Sequence, residues 1–276
     1  MQIGAALNRA RARLQSTSDS PALDAELLLA WVLKSRRSYL HTWPERELDG
    51  TQQAAFEALV EQRMQGMPVA YLLGEAEFWS LTLKVTEHTL IPRPETELLV
   101  EQALALIPEH AQWDIADLGT GSGAIALALA SERPACRVHA VETDLNALAV
   151  ARENAARLGL DVEFHHGSWF EPLAGRQFQL IVSNPPYVAS ADPHLSGEVR
   201  HEPEGALVSG EQGLDDLSHL VSEATGFLTA PGWLLVEHGY DQGEAVSNLF
   251  KSNSYVDIRT EIDLGGQDRI GLGRRP

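Results

Sequence analysis

Residues 115–123 read Ile-Ala-Asp-Leu-Gly-Thr-Gly-Ser-Gly, and an apolar run from Ala124 to Ala130 follows them directly. An apolar segment, a glycine-rich turn and a second apolar segment predict a buried strand, a loop and a helix. Glycines allow positive φ angles and a close approach of the backbone to a ligand, and the first N–H groups of a helix are free to bind it. This stretch therefore predicts a ligand site where the strand ends.

Two kinds of cofactor are compatible with this loop. Gly119, Gly121 and Ala124 also satisfy the dinucleotide spacing G-x-G-x-x-A. Asp117 favours a ligand with an amino group, such as a methionine moiety, because a carboxylate is poorly placed beside a pyrophosphate. Glu142 ends the next predicted strand about twenty residues on, where an acid binds ribose hydroxyls in either case.

The rest of the chain predicts an α/β fold with a helical region in front of it. Apolar residues at helical spacing predict three helices in residues 1–75 and a further helix over 98–107. Residues 78–85 alternate as a half-buried strand does. Strands and helices alternate from residue 115 onward, with Asp144 and Asn146 as the start signal of a helix over 147–158. We expect a helical bundle over 1–75, a β-rich connector over 76–94 and a doubly wound, mostly parallel sheet over 95–276.

Composition and charge exclude several functional classes. The chain has 276 residues and a single cysteine, Cys136, which excludes an internal disulfide framework. Neither a secretory leader nor an apolar run of membrane-spanning length is evident, so we expect a cytoplasmic protein without a membrane partner. The net charge is −18, and residues 76–276 carry 13 basic and 30 acidic side chains. This acidity argues against a polynucleotide substrate, which needs a basic face.

A second motif, Ser-Asn-Pro-Pro-Tyr at residues 183–187, follows the apolar run from Phe178 to Val182. Proline donates no backbone N–H, and the residue before proline is extended. The Asn184 side-chain oxygen and the Pro185 carbonyl can then accept both hydrogens of one planar NH2 group, with Tyr187 packed beside it. The motif predicts a site for adenine, cytosine or a carboxamide.

Three further features carry weaker predictions. Trp169, after the predicted strand over 162–166, is a candidate to flank an adenine ring and equally a core residue. Arg93 and Glu97 belong to the segment Ile-Pro-Arg-Pro-Glu-Thr-Glu at residues 91–97, which is either a capped helix start or the mouth of a site. The histidine spacing predicts no metal site; this applies to His165, His166, His194 and His238.

Together, these motifs resemble a class I S-adenosylmethionine-dependent methyltransferase that acts on amide or exocyclic amino nitrogen. The helical N-terminal region, Gly-Glu-Ala-Glu-Phe-Trp at residues 74–79, the 91–97 segment and the 183–187 motif resemble the HemK/PrmC family of release factor glutamine methyltransferases. The likeness covers essentially the whole chain. It implies S-adenosyl-L-methionine as methyl donor, S-adenosyl-L-homocysteine as product, and the glutamine of the Gly-Gly-Gln motif in class-1 peptide chain release factors as substrate, with the helical domain helping to dock that protein.

The resemblance also implies which residues form each site. The cofactor site comprises Asp117, Gly119, Thr120, Gly121, Ser122, Gly123, Glu142, Ser168, Trp169 and Asn184. The substrate site comprises Asn184, Pro185, Pro186, Tyr187, Arg93 and Glu97, of which Asn184, Pro185 and Tyr187 act in catalysis. Many relatives have aspartate where Ser168 stands, so recognition of the adenine amino group departs from the family pattern there.

Three other functions are open at this stage: a DNA or RNA amino-methyltransferase, an NAD(P)-dependent oxidoreductase and a non-catalytic partner-binding protein. The acidic charge counts against the first and the 183–187 motif against the second. The intact motifs count against the third. Gly265-Gly266-Gln267 in this chain is interpreted as a coincidental turn, because a three-residue match is common.

Overall fold

A computed structural model describes residues 1–193 and 195–276. The chain divides into two units with separate cores. Unit 1 comprises Met1–Glu75 and Ser196–His201, and unit 2 comprises Ala76–Leu195 and Glu202–Pro276. Each unit is described by itself below. His194, to which no chemistry was assigned, lies outside the described residues.

Unit 1 is built from helices. They are α1 (Ile3–Leu14), α2 (Pro21–Val32), α3 (Arg37–Thr42), α4 (Gly50–Met64) and α5 (Val69–Leu73). The three predicted helices correspond to α1, α2 and α4. Helix α4 begins at Gly50, ahead of the apolar residues Ala54 to Met64 that predict it, because the Asp49 carboxylate accepts the Gln52 N–H at 2.8 Å while the Gln52 side chain accepts the Asp49 N–H at 3.1 Å. Buried leucines of α1 and α2 pack around Phe56 of α4.

A buried ion pair lies inside unit 1. The Arg63 guanidinium donates to Asp24 Oδ2 at 2.6 Å, and both side chains are almost fully buried. Glu198 is a second partner of Arg63 and is half-exposed. Removing one partner of such a pair leaves an uncompensated buried charge, which is costly. Because Glu198 belongs to the segment Ser196–His201, its pairing with Arg63 attaches this segment to the rest of unit 1.

Unit 2 contains a seven-stranded sheet. Its strands are β3 (Asp114–Leu118), β4 (Arg137–Glu142), β5 (Glu163–His166), β6 (Phe178–Ser183), β7 (Leu228–Glu237), β8 (Val256–Ile262) and β9 (Asp268–Arg275). Their spatial order is β5-β4-β3-β6-β7-β9-β8. The first five strands are parallel, whereas β9 runs antiparallel to both β7 and β8. The strand order reverses between β3 and β6, and open α/β sheets bind ligands at such a point.

Helices cover both faces of this sheet. They are α6 (Glu97–Leu106), α7 (Ala124–Glu132), α8 (Leu145–Leu158), α9 (Asp215–Phe227) and α10 (Gly243–Ser252). Leu180 and Val182 of β6 join one core with α6 and α7, while Ile181 joins the opposite core with α9 and α10. Successive side chains of a strand point to opposite faces, so a strand buried on both sides is apolar throughout. The predicted mostly parallel, doubly wound α/β sheet is confirmed.

The predicted single strand over residues 78–85 is wrong. The chain forms a two-stranded sheet of β1 (Glu75–Phe78) and β2 (Leu81–Lys84) instead. It turns at Trp79 and Ser80, whose φ angles are 51° and 60°. The alternation of apolar and polar residues was real, because Leu83 and Val85 are buried, but it belongs only to β2 and the residue after it. Within the described residues, no helix is long and apolar enough to cross a membrane.

Candidate active site

A cavity of about 450 Å³ lies at the carboxyl ends of β3 to β6. This volume falls in the range of small-molecule sites. The predicted residues in its wall are Gly119, Gly121, Glu142, Ser168, Trp169, Asn184 and Pro186. Wall residues that the sequence analysis did not select are His88, Leu90, Val141, Thr143, Asp144, Ala147, Gly167, Pro203, Gly205, Ala206 and Asp216. The structure thus brings the ends of four separate strands to one site.

The glycine loop begins directly after β3. The N–H groups of Gly119 and Thr120 both donate to the Val141 carbonyl at 2.9 Å, which ties the loop to β4. Gly119 has a φ of +75°, and a Cβ atom there would lie 3.3 Å from the Trp169 ring. Glycine is therefore required at 119 both for the backbone angle and for the close approach of the indole. Thr120, Ser122 and Gly123 belong to the loop but do not line the described cavity wall.

Glu142 at the end of β4 is held by three backbone N–H groups. Its Oε2 atom accepts from Gly121 at 2.9 Å, and its Oε1 atom accepts from Thr143 at 2.8 Å and Asp144 at 3.0 Å. A carboxylate offers about four acceptor positions, so this oriented group can still accept from hydroxyls in the cavity. The predicted start signal at Asp144 is confirmed, because its Oδ1 atom accepts the N–H groups of Asn146 and Ala147 at 2.6 and 3.0 Å.

Asp117 lies behind the glycine loop and is fully buried. Its Oδ2 atom accepts from the Thr120 hydroxyl at 2.7 Å and from the Ala126 N–H at 3.1 Å. Its Oδ1 atom has no hydrogen-bond partner among the described residues. Burial raises the pKa of the Asp117 carboxyl to about 7, and the hydrogen bonds only partly offset this. An unpartnered oxygen at this depth fits a ligand amino group, and that contact stays a prediction.

Trp169 and Ser168 form the wall after β5. Trp169 has a φ of 45° and is half-buried, with its ring against Gly119. Ser168 is exposed, and its N–H donates to Glu171 at 3.3 Å. The Ser168 side chain thus offers a hydroxyl at the position where many relatives have the carboxylate of an aspartate.

The 183–187 motif leaves β6 at the next strand end. The Ser183 hydroxyl donates to the Leu118 carbonyl at 2.7 Å, which fixes the end of β6 against β3. The Asn184 amide nitrogen donates to the Thr96 hydroxyl oxygen at 3.1 Å, so its Oδ1 atom is left to accept from a ligand. Asn184 and Pro186 line the cavity, while Pro185 is buried and Tyr187 half-buried.

A buried carboxylate, Glu237 at the end of β7, organises this motif from behind. Its Oε1 atom accepts from the Tyr187 hydroxyl at 3.0 Å, and it also interacts with the Thr96 hydroxyl. Burial raises the pKa of Glu237, which Thr96 and Tyr187 lower by a smaller amount. The Thr96 hydroxyl oxygen accepts from Asn184, so its own hydrogen is available to Glu237, and this arrangement favours the Asn184 amide with its nitrogen toward Thr96. Burial likewise raises the pKa of Tyr187, which stays a neutral phenol.

Sequence reasoning missed Thr96 and Glu237. One signal for Glu237 was available, since it is a charged residue at the end of an apolar parallel strand, as Glu142 is. Thr96 carried no such signal, because its role depends on a partner 88 residues away.

Arg93 and Glu97 are engaged within the protein. The Arg93 guanidinium pairs with Glu202, whose buried carboxylate also accepts the Ile91 N–H at 3.1 Å. The Glu97 carboxylate accepts the Trp79 N–H at 2.8 Å. Neither side chain belongs to the described cavity wall. Their predicted contact with substrate stays a prediction.

Known proteins match both the helical N-terminal region and the sheet-containing region of this chain. Residues 5–74 match the PrmC N-terminal domain, and residues 94–207 match the methyltransferase small domain. A release factor glutamine methyltransferase of Vibrio cholerae serotype O1 is 54% identical, over 99% of this chain and 96% of its own.

Two solved structures share the fold. A methyltransferase from Pyrococcus furiosus matches with a TM-score of 0.55 and 16% identity, covering 79% of this chain and 96% of that one. The Thermus thermophilus 16S rRNA N2 G1207 methyltransferase, solved with AdoMet and guanosine, matches with a TM-score of 0.54 and 18% identity, covering 73% of this chain and 50% of that one. With the class I methyltransferase fold, the helical N-terminal domain and a relative this similar over nearly its whole length, the chain belongs to the release factor glutamine methyltransferase family.

Proposed function

We propose that this enzyme transfers the methyl group of S-adenosyl-L-methionine to the side-chain amide nitrogen of a glutamine in a class-1 peptide chain release factor, within its Gly-Gly-Gln motif. The observation that carries the proposal is the Asn184 amide, whose nitrogen faces Thr96 and whose oxygen is free to accept from an NH2 group beside the cavity. The name of the Vibrio cholerae relative supports the substrate.

The cavity suits the proposed cofactor. Glu142 offers an oriented carboxylate to ribose hydroxyls, and Trp169 offers a ring face to an adenine. Asp117 offers its unpartnered oxygen to the amino group of the methionine part. When bound, S-adenosyl-L-methionine supplies an electrophilic methyl group on a positively charged sulfur. The same fold binds AdoMet in the Thermus thermophilus neighbour.

The chemical task of the protein is to activate a poor nucleophile. The lone pair of a carboxamide nitrogen is delocalised into its carbonyl, so positioning alone is not enough. The Asn184 oxygen and the Pro185 carbonyl accept the two amide hydrogens, stabilise the positive charge that grows on nitrogen, and direct its lone pair toward the methyl carbon. No general base is needed before transfer, because the methylated amide cation is a strong acid that loses its proton to water.

The test is methyl transfer from labelled S-adenosyl-L-methionine to purified release factor, wild type against a variant with Gln→Ala in its Gly-Gly-Gln motif. Label on the wild type alone is expected. Label on both proteins, or on neither, refutes the glutamine assignment. A parallel reaction with DNA and RNA tests the amino-methyltransferase alternative, for which the acidic charge predicts no transfer.

Asn184→Ala tests the mechanism. We expect the turnover to collapse while S-adenosyl-L-methionine binding, measured by calorimetry, changes much less. Unimpaired turnover with intact cofactor binding would refute the role of Asn184.

A further inference from the structure

A second cluster of polar side chains lies on strands β4 and β5, outside the described wall of the cavity. His139 of β4 is paired in register with Glu163 of β5, and His165 follows two residues later on the same strand. Side chains two residues apart in a strand point to the same face. The parallel pairing of β4 with the edge strand β5 therefore gathers two imidazoles and a carboxylate that sequence spacing did not connect.

The distances between these groups match those between the ligands of one metal ion. His139 Nδ1 lies 3.2 Å from His165 Nε2 and 3.3 Å from the Glu163 carboxylate, and the three candidate ligand atoms lie within 4.8 Å of one another. Zinc–nitrogen bonds of about 2.0–2.1 Å place tetrahedral ligand atoms about 3.3–3.4 Å apart. The spacing around His139 Nδ1 thus corresponds to two edges of such a tetrahedron.

Asp114 favours the ligating tautomer of His139. The imidazole is 1% exposed, and its Nε2 atom lies 3.6 Å from Asp114 Oδ1. Arg137 holds the Asp114 carboxylate with two contacts of 2.6 Å. A proton on Nε2 faces this carboxylate and leaves the lone pair on Nδ1, toward His165 and Glu163. His139 Nε2 makes no hydrogen bond at this distance, so Asp114 acts here as a nearby negative charge, on the side where metal-binding histidines usually have a carboxylate.

Without a cation, a proton on His139 Nδ1 would face His165 Nε2 and the Glu163 carboxylate, so a metal ion at this position would replace that proton. The nearest competing cation is Arg176, 3.7 Å from Glu163, and both of these side chains are about half exposed. Such an exposed pair is weak and easily exchanged.

We propose that His139 Nδ1, His165 Nε2 and the Glu163 carboxylate bind a divalent transition-metal ion of the Zn²⁺ class, with solvent completing the coordination. Imidazole and carboxylate form the donor set of zinc sites, whereas Ca²⁺ and Mg²⁺ prefer oxygen ligands alone. The bound ion would tie β5, which is the outermost strand of the sheet, to β4.

The experiment is a titration of the tag-free, chelator-treated full-length protein with Co²⁺, followed by visible absorption. We expect about one equivalent of Co²⁺ to bind with the strong d–d absorption of four-coordinate geometry, and Zn²⁺ to displace it. Glu163→Gln and His165→Asn are expected to weaken binding at least tenfold. Asp114→Asn should weaken it less than the ligand variants do, because Asp114 lies 3.6 Å from His139 Nε2 and makes no hydrogen bond to it.

Two controls make the test decisive. His110→Gln removes an exposed histidine outside the cluster and should leave binding unchanged. Arg176→Gln removes the competing cation and should bind Co²⁺ at least as tightly as wild type. Because Glu163 is half-exposed, Glu163→Gln keeps the fold even if His165→Asn does not, which circular dichroism will show. The proposal is overturned if Glu163→Gln binds as tightly as wild type, or if the wild type binds no Co²⁺.

Discussion

Replacing Thr96 by valine tests whether the orientation of the Asn184 amide controls catalysis. Valine keeps the shape of the side chain and removes the hydroxyl that accepts from Asn184 and interacts with the buried Glu237. Each buried polar group left without a partner costs about 1–3 kcal/mol. One such group arises here, the Asn184 N–H that Thr96 accepts from. Either the folded state loses this free energy or Asn184 rotates to recover part of it.

A rotated Asn184 presents N–H groups, instead of an oxygen, to the substrate NH2. The hydrogen bond that stabilises the transition state is then lost or becomes repulsive. If about 1.4–2.8 kcal/mol of the cost appears in the barrier, kcat falls about 10- to 100-fold. We expect the KM for S-adenosyl-L-methionine to change little, since Thr96 is not in the described cavity wall.

The assay is methyl transfer to purified release factor at saturating S-adenosyl-L-methionine, with Thr96→Ser as the matched variant. Serine keeps the hydroxyl and loses only a methyl group, so Thr96→Ser should retain most of the wild-type kcat. The reasoning is refuted if Thr96→Val turns over like wild type, or if the serine and valine variants lose activity equally while both stay folded.

Three further predictions follow from the same geometry. Gly119→Ala and Gly175→Ala both place a side chain at positive φ, and each should lower the free energy of unfolding by about 1–2 kcal/mol. Only Gly119→Ala should weaken cofactor binding in calorimetry, because its Cβ atom would meet Trp169, whereas the space around Gly175 is open. Equal cofactor affinities of the two variants would contradict this. The raised pKa of Asp117, about 7 against an unfolded value of 3.8, gives stability that is present at low pH and lost as pH rises through 7. In urea unfolding, the free energy of unfolding of the wild type should therefore fall by about 2 kcal/mol relative to Asp117→Asn between pH ~5.5 and ~7. If the difference between the two proteins does not change with pH, Asp117 stays ionised. Tyr187→Phe removes the hydroxyl that donates to Glu237, and it should lower kcat about tenfold while cofactor affinity stays unchanged. A variant that loses cofactor affinity but keeps its kcat would show that Tyr187 acts at the cofactor and not at the substrate.

Local features of the chain were predictable because each rests on neighbours in sequence. The strand, glycine loop and helix around Gly119 follow from an apolar pattern and from the angles that only glycine adopts readily. The Asp144 cap needs only the next three residues. The short helices α3 and α5 span six and five residues, too few to show a period. The turn at Trp79 and Ser80 escaped because neither residue is typical of positive φ.

Contacts between distant segments were beyond the sequence. Thr96 and Asn184 meet only because the start of α6 lies beside the end of β6, and Tyr187 meets Glu237 because β6 and β7 are neighbours in the sheet. The cluster of His139, Glu163 and His165 likewise depends on the register of β4 and β5. In each case the residue types were visible in the sequence, and the strand order decided which of them share a site.

The proposed acceptors at Asn184 and Pro185 would not by themselves distinguish a glutamine amide from the exocyclic amine of a base, because both present a planar NH2 group. Discrimination must therefore come from what surrounds that group. A nucleic acid brings phosphates whose binding depends on basic side chains, and residues 76–276 carry 17 more acidic than basic ones. Screening at physiological salt shortens this repulsion to about 8 Å, which is still the range of flanking phosphates around an inserted base. A glutamine on a protein loop brings no such charge, so the proposed pair of acceptors suits an amide better than a base in a polynucleotide.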